Sequence, residues 1–279
     1  MKRVLLLIAA FCLLCGFRKV SPEQIARDVI QRTESHFNVT EHAELYKYVR
    51  MDSKGVVAQG EMLIIFRYGK DEAHGIFRLL PDDDNEGVTL ISRQSPNQLP
   101  ELSHYDDNTD SGGRIGTAQM HTKLGDTDWF FEGIYDDDKM DWIYEKTGSG
   151  KYRGHQVQII EGRYRDPLLQ HASGYSYRRI LIRPDNDLPV ASEFYNDRDE
   201  IVYTIDLLHR EHFEFDNDPH VRTRQFQIIN FREGSTTVMT RIASNWAPNL
   251  PPELYNLEFA DDWDEETDKM IKNQLMPLN

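Results

Sequence analysis

Cysteine is almost missing. The 279-residue chain has two, Cys12 and Cys15, and a chain shortened past them could build no disulfide framework, thiol nucleophile or Cys-ligated zinc site. The short patterns of common catalytic machinery are absent too. There is no G-x-S-x-G or S-x-x-K for a serine nucleophile, and neither G-x-G-x-x-G nor the Walker pattern for cradling phosphate. Positive charge is scarce: 32 Lys and Arg stand against 47 Asp and Glu, a net −15. Such a surface repels phosphates and anionic membrane faces, which speaks against nucleic acid and against polybasic membrane anchoring. No linker rich in Gly, Pro and Ser interrupts the chain, and no repeat is visible. A non-enzymatic protein without cofactor or metal is the expectation.

Long apolar runs are limited to one. Lys2-Arg3 precede Val4 to Phe17, a stretch too short and wrongly flanked for a transmembrane helix and suited to a secretory signal. Cleavage near Gly16 would leave residues 17–279 as one exported, periplasmic domain of net charge −17, since Lys2 and Arg3 are lost and all 47 acids lie downstream. A lipoprotein signal competes, because Cys12 and Cys15 lie at the right depth, but Leu14 is bulky where a small residue is wanted.

What the chain does have is β pattern and aromatics, with 13 Tyr, 13 Phe and 4 Trp. Tyr175 to Leu208 reads as three strands joined by turns at Pro184–Asp187 and Asn196–Asp199. Ile180, Ile182, Val190, Phe194, Ile201, Tyr203, Ile205 and Leu207 recur with period two, giving an antiparallel meander with one apolar face. Upstream, Ser21-Pro22-Glu23-Gln24 opens a helix running to about His36, with Ser21 as N-cap. Strands follow at 45–51, 61–68, 75–80 and 88–93, at the turn spacing of a sandwich or barrel. In the second of these, Leu63 and Ile65 alternate with Ile64 and Phe66, so something must cover each face. Leu99 to Gly116 has no periodicity and reads as a mobile loop. Further strands are expected at 157–161, 222–231 and 235–244, with short helices at 253–256 and within 264–276.

The acidic runs do not make a convincing calcium loop. Asp82, Asp84, Glu86 and Gly87 have EF-hand spacing, but the twelfth position is Arg93 where a bidentate Glu is needed. His209, Glu211 and His212 lie close together on a strand, with no third ligand for zinc in helical placement. Glu132, Asp138 and Glu161 are carboxylates that composition alone supplies, and nothing promotes them to general acid and base.

That leaves an apolar and aromatic set on an antiparallel sheet: Leu63, Ile65, Phe77, Leu79, Trp129, Phe131, Trp142, Tyr177 and Tyr203. They fill a core, or they line an incompletely filled sheet that accepts acyl chains at about 0.8 kcal/mol per buried methylene.

The order of short motifs resembles the bacterial outer-membrane lipoprotein-sorting family, relatives of the LolA and LolB carriers. The motifs are Phe77-x-x-x-Pro81, Gly87-Val88-Thr89-Leu90, Gly125-Asp126-Thr127-Asp128-Trp129-Phe130, and Tyr175-x-Tyr177 through Pro189 to Tyr195, then Asn230, Thr240 and Phe259. The resemblance spans roughly residues 40–263. The chain departs from the family pattern at Leu99-Pro100-Glu101-Leu102, where Tyr-x-Pro is usual, and at Glu132-Gly133. The resemblance implies a mainly β fold, an incomplete antiparallel β-barrel (half-barrel) with helices covering its concave face. It also implies a hydrophobic cavity and carriage of lipid or lipoprotein acyl chains across the periplasm, with an inner-membrane transporter or other envelope protein as partner. The competing expectation is a non-catalytic envelope interaction module whose barrel core is packed; a weaker one is a hydrolase of envelope lipid or glycan.

Overall fold

The computed structural model describes residues 21–279 except 38, 83–86, 97, 99, 135–141 and 279. The signal segment 1–16, most of the acidic turn carrying Asp84 and Glu86, and Asp138 lie outside the described residues. The helix α1 (Pro22–Glu34) starts as its sequence dictates, with Ser21 Oγ accepting from Gln24 N. The capping box is half made, because the Gln24 amide turns to Asp28 instead.

Among the described residues, thirteen strands follow one another in an open antiparallel sheet. The N-terminal run is β1 (Glu41–Asp52), β2 (Gly55–Tyr68), β3 (Ala73–Leu79), β4 (Val88–Gln94), β5 (Glu101–Asp106) and β6 (Ser111–Ile115). The C-terminal run is β7 (Trp142–Tyr152), β8 (His155–Tyr164), β9 (Tyr177–Ile182), β10 (Pro189–Tyr195), β11 (Ile201–Phe215), β12 (Asp218–Asn230) and β13 (Ser235–Asn245). Each run is a meander of sequence neighbours, and β1 pairs with β13 to join them, leaving β6 and β7 as the two edges. The sheet is therefore a half-barrel, and a short β14 (Met276–Pro277) adds to β13. The two-residue turns follow hairpin chemistry: Asp216-Asn217 and Arg153-Gly154 all take positive φ, which matches the right-handed twist of the flanking strands.

Both faces are covered, as the apolar alternation of β2 requires. The larger, inner cluster takes Met62, Ile64 and Phe66 of β2 with Phe77, Leu90, Trp142, Ile160, Phe226 and Met239. Over it lie Ala26, Val29 and Ile30 of α1, Leu169 and Ala172 of α2 (Pro167–Ala172), and Met120, Leu124 and Phe131 from the segment after β6. The outer cluster takes Leu63, Ile65, Ile76 and Ile91, roofed by Leu254, Leu257 and Trp263 and by Ile271 of α3 (Glu265–Lys272). Buried Arg78 pins this roof, reaching Asp107 at 2.9 Å and Asp268 at 3.5 Å, while Trp263 Nε1 donates to Asp268 at 2.8 Å.

Within the stretch expected as a mobile loop, Glu101 to Ile115 are regular. These residues form the β5–β6 hairpin, turning on Asp106–Asp110 where Asp110 takes φ 47° and Asp106 Oδ1 accepts from Asn108 N. Leu102 and Ser103 are buried, whereas β6 is mainly exposed, so its alternation leaves no apolar trace. The strand β7 escaped the pattern for the same reason, being exposed through Glu145–Ser149. Val190 also departs from the expected face: a bulge between Pro189 and Ala191 turns it toward Leu181 and Val157 on the outside.

At the β1–β13 seam the inner face carries buried charge. Glu44 accepts from Arg222 Nη2 at 2.8 Å and from Arg241 Nη1 at 2.6 Å, and Arg241 also reaches Glu211 at 2.6 Å. Beside them His42 is fully buried, and burial pulls its imidazole down to about 3. Burial alone would raise the Glu44 carboxyl, but Arg222, with His42 and Arg241, outweighs it and holds the group at about 2. The signs give a pH dependence. Between about 6.5 and 3 the unfolded chain binds a proton at His42 that the folded chain refuses, so stability falls as pH falls through that window. Glu44 adds its own loss only below about 4.5. Replacement His42→Phe is expected to flatten the dependence between pH 6.5 and 4.5 by about 1 kcal/mol per pH unit, read from urea unfolding midpoints. Equal slopes for variant and parent would rule this out.

Candidate functional site

The chain leaves edge strand β6 and crosses the inner face before it reaches β7. This strap, residues 116–134, has little regular structure: 3₁₀ turns at Thr117–Gln119 and Phe131–Ile134 and a bridge between Lys123 and Phe130. Its polar anchor is Asp128, which is fully buried. Asp128 accepts from Ser235 Oγ at 2.8 Å, Thr237 Oγ1 at 2.9 Å and Asn230 Nδ2 at 3.3 Å, and Arg50 Nε lies 3.4 Å away. The strap's apolar anchors are Trp129, edge-on to Phe77 at 5.3 Å and Phe226 at 5.1 Å, and Phe130, 4.6 Å from Tyr203.

Strap and sheet do not meet everywhere. Between them is a cavity of about 250 Å³. The strap supplies Trp129, Phe130, Glu132 and Gly133; the sheet supplies Arg178, Ser192, Phe194, Tyr203, Ile205 and Ile228, with Tyr175 just ahead of β9. Gly133 is needed where it stands, because a Cβ there would come within 2.1 Å of Trp129 Nε1.

The polar groups of the wall are mostly held. Glu132 accepts from the hydroxyls of both Tyr164 and Tyr175. Burial, then the Glu132 charge, push the Tyr175 phenol well above its ordinary value. Arg178 stacks on Trp142, 3.8 Å from the ring centre, and donates to Tyr144 Oη at 2.9 Å. Burial pushes the Tyr203 phenol up to about 12. The described lining of the arrangement includes neither histidine nor cysteine. Its chemistry is that of a small apolar pocket with a few placed polar groups.

A larger hollow, about 630 Å³, is an open depression by the β2–β3 turn lined by Arg67, Lys70, Asp71, Glu72 and His74. It offers charge and little apolar surface, so size alone does not make it the site.

The nine residues expected to line a cavity divide three ways. Trp129 and Tyr203 do line it. Phe77, Leu79, Phe131 and Trp142 lie in the inner cluster but are packed into it. Leu63 and Ile65 point to the outer face under the C-terminal roof. Tyr177 is also outside, stacked on Tyr195 at 4.7 Å beside Arg163 and Arg179. Period two separates the faces of a strand but does not say which is concave, which is why Leu63 and Ile65 could not be told from Ile64 and Phe66. Phe194 and Ile205 carried a signal, their place in the meander; Arg178 and Ser192 carried none.

The model of a family described as "Uncharacterized protein" matches residues 71–259, more than half of the chain. No curated protein matches it. Among solved structures, a DUF1329 family protein from Desulfovibrio piger superposes with a TM-score of 0.74 at 16% identity, over 85% of this chain and 98% of that one. A candidate outer membrane lipoprotein-sorting protein domain from Vibrio parahaemolyticus does so with 0.72 at 13%, over 86% and 98%. A LolA superfamily protein from Nitrosomonas europaea gives 0.62 at 10%, over 84% and 98%. At such identities the likeness is one of fold. The chain belongs to the family whose model it matches over 71–259, and its architecture is that of the LolA-like lipoprotein-sorting proteins.

Proposed function

We propose that this protein is a non-enzymatic carrier that shields an acyl chain of a lipid or lipoprotein within its half-barrel. The observation that carries the reading is the cavity between strap and sheet: apolar walls at Phe130, Phe194, Ile205 and Ile228, closed on one side by chain that belongs to no sheet. Apolar contact at about 25 cal/mol per Å² is enough to hold a chain without catalytic groups. A roof made of a strap can be displaced without breaking strand pairing.

At about 250 Å³ the cavity lies below the roughly 300–1,000 Å³ of pockets that enclose drug-sized ligands. A whole long chain therefore requires the strap to move. The moving part is residues 116–134 and not the β5–β6 hairpin. Uptake and release would follow a shift between closed and opened strap, biased by differential affinity at donor and acceptor. Export fits this role: the signal pattern of residues 1–16 would place residues 17–279 in the periplasm, and the intact mass of the mature protein reads that cleavage directly. Among the described residues no helix is long and apolar enough to cross a membrane.

One observation favours a second reading. Most of the inner face is filled by α1, α2 and the strap, as an envelope interaction module would need. Native mass spectrometry after gentle purification separates the two. A carrier is expected to keep lipid adducts or to take up a fluorescent fatty-acyl probe; a clean mass with no uptake of any probe would leave the interaction module standing.

A further inference from the structure

A smaller hollow, about 100 Å³, lies where the C-terminal end of α1 meets β10, β11 and β12. Thr33, His36, Pro189, Arg210, Arg222 and Thr223 are in its wall, and none of these lines the cavity under the strap. Its described lining holds two guanidiniums and no carboxylate. By contrast, Glu132 stands in the wall under the strap, and Asp71 and Glu72 in the depression by the β2–β3 turn. In a chain of net charge −15 this local excess of positive charge needs a reason.

The excess belongs to Arg210. Arg222 is committed to Glu44 through Nε and Nη2, whereas Arg210 makes no ion pair among the described residues and bonds only the carbonyl oxygen of Pro189, through Nη2. Its Nε and Nη1 are unbonded but not sealed in, so a molecule entering the hollow can reach them. Burial and the nearby Arg183 charge both weaken its hold on the proton, and no acid acts the other way. Arg210 stands directly opposite Thr223 in the β11–β12 ladder, which sets the two Cβ atoms about 5 Å apart on one face. Thr223 Oγ1 also lacks a partner among the described residues and is accessible.

An open guanidinium edge beside a free hydroxyl, with a second guanidinium in the same wall, asks for an oxyanion. At roughly 30 Å³ per water the space suits a few waters or one tetrahedral oxyanion, and it is too small for an acyl chain. The C-terminal end of α1 opposes an anion by about half a charge. Its last carbonyls are already bonded, Gln31, Thr33 and Glu34 accepting from the N–H groups of Ser35, His36 and Phe37. One uncompensated full charge outweighs what remains. The acidic surface further off is screened beyond about 8 Å at physiological salt.

We propose that this hollow binds a phosphate group, with Arg210 Nε and Nη1 and Thr223 Oγ1 donating to its oxygens and Arg222 adding charge. Free phosphate and the head group of a phospholipid share this chemistry. The proposal does not rest on the carrier reading, because the two sites share no lining residue.

The test is calorimetric titration and thermal melting of the full-length protein with inorganic phosphate, chloride holding the ionic strength constant. Phosphate is expected to bind and to raise the Tm, and acetate at the same ionic strength to do neither. Arg210→Gln should weaken phosphate binding at least about tenfold, the worth of a charge-assisted hydrogen bond. That variant also loses the bond to Pro189, so Thr223→Val is measured beside it. Thr223 bonds no described residue through its side chain, and its replacement should leave melting without phosphate unchanged while binding falls about threefold or more. Dihexanoylphosphatidic acid and dihexanoylglycerol separate the two sources. Displacement of phosphate by the phospholipid and not by the diacylglycerol assigns the site to a head group; displacement by neither assigns it to the free ion. Failure of both phosphate and the phospholipid to bind, or binding unmoved by Arg210→Gln and Thr223→Val, would overturn the proposal and leave the carrier reading as it stands. Acetate binding as tightly as phosphate would overturn the phosphate class.

Discussion

Glu44→Ala is expected to lower the free energy of unfolding by about 3–5 kcal/mol, the range for breaking a buried ion pair from one side. Glu44 is fully buried and holds two guanidiniums, Arg222 through both carboxylate oxygens and Arg241 through one. Arg241 keeps Glu211 when Glu44 is removed, but Arg222 is left over the Phe37 ring, 4.4 Å from its centre. The cost arises from uncompensated charge and not from any large net worth of the cluster. Replacing Glu44, Arg222 and Arg241 together by Leu, Met and Met is therefore expected to recover most of the loss. Urea unfolding followed by circular dichroism measures both. A Glu44→Ala protein within 1 kcal/mol or so of the parent, below the penalty for any stranded buried charge, would refute the account. The location matters because the pairing of β1 with β13, from Ala43 to Met51, joins the two meanders across nearly the whole length of the chain. A one-residue register slip of β13 at this seam would turn Arg241 to the outer face, away from Glu44.

Asp128→Ala is expected to loosen the strap. The substitution removes three accepted hydrogen bonds and an ion pair that tie residues 116–134 to β1, β12 and β13. Bonds to a charged group are worth about 1.5–3 kcal/mol each in favourable cases and do not add fully, so a loss of roughly 3 kcal/mol is expected. Thr237 Oγ1 still accepts from the backbone N–H of residue 128, and Lys123 still reaches Glu233 at 2.6 Å, so the strap should loosen without the sheet unfolding. Amide hydrogen exchange is expected to quicken in residues 116–134 while β2, β3 and β12 stay protected. Because Trp129 and Phe130 ride on the strap, a bound acyl probe should also leave at least about tenfold faster, equivalent to 1.4 kcal/mol of lost closure. Asp128→Asn, which keeps part of the bonding, should lie between. Unchanged exchange in the strap would show that Asp128 does not hold it closed.

These two residues also mark how far the amino-acid pattern could be read. Asp128 stands in the Gly125–Phe130 motif that carried the family resemblance, yet its partners Asn230, Ser235 and Thr237 are about a hundred residues away. Glu44 reads as an ordinary polar position on an alternating strand. Its role exists only because β13 and β12 bring Arg241 and Arg222 beside it.

Local order was legible wherever one face of a strand is apolar and the other is not, or where a turn demands its own chemistry. The meander from Tyr177 to Ile205, the hairpin of β12 and β13, the Ser21 cap and the need to cover β2 twice all follow from period, φ preference and capping. Exposed edges defeated the same reading, since β6 and most of β7 bury too little to leave a pattern. The amino-acid sequence by itself determined the antiparallel strands, their apolar alternation and the family likeness, because these depend on neighbours within about ten residues. Only the tertiary structure decided which face is inner, that residues 116–134 roof it, and that Trp129 and Phe130 of the strap and Tyr203 and Phe194 of the sheet line one cavity. Those outcomes depend on the β1–β13 pairing and on curvature, which no local spacing encodes.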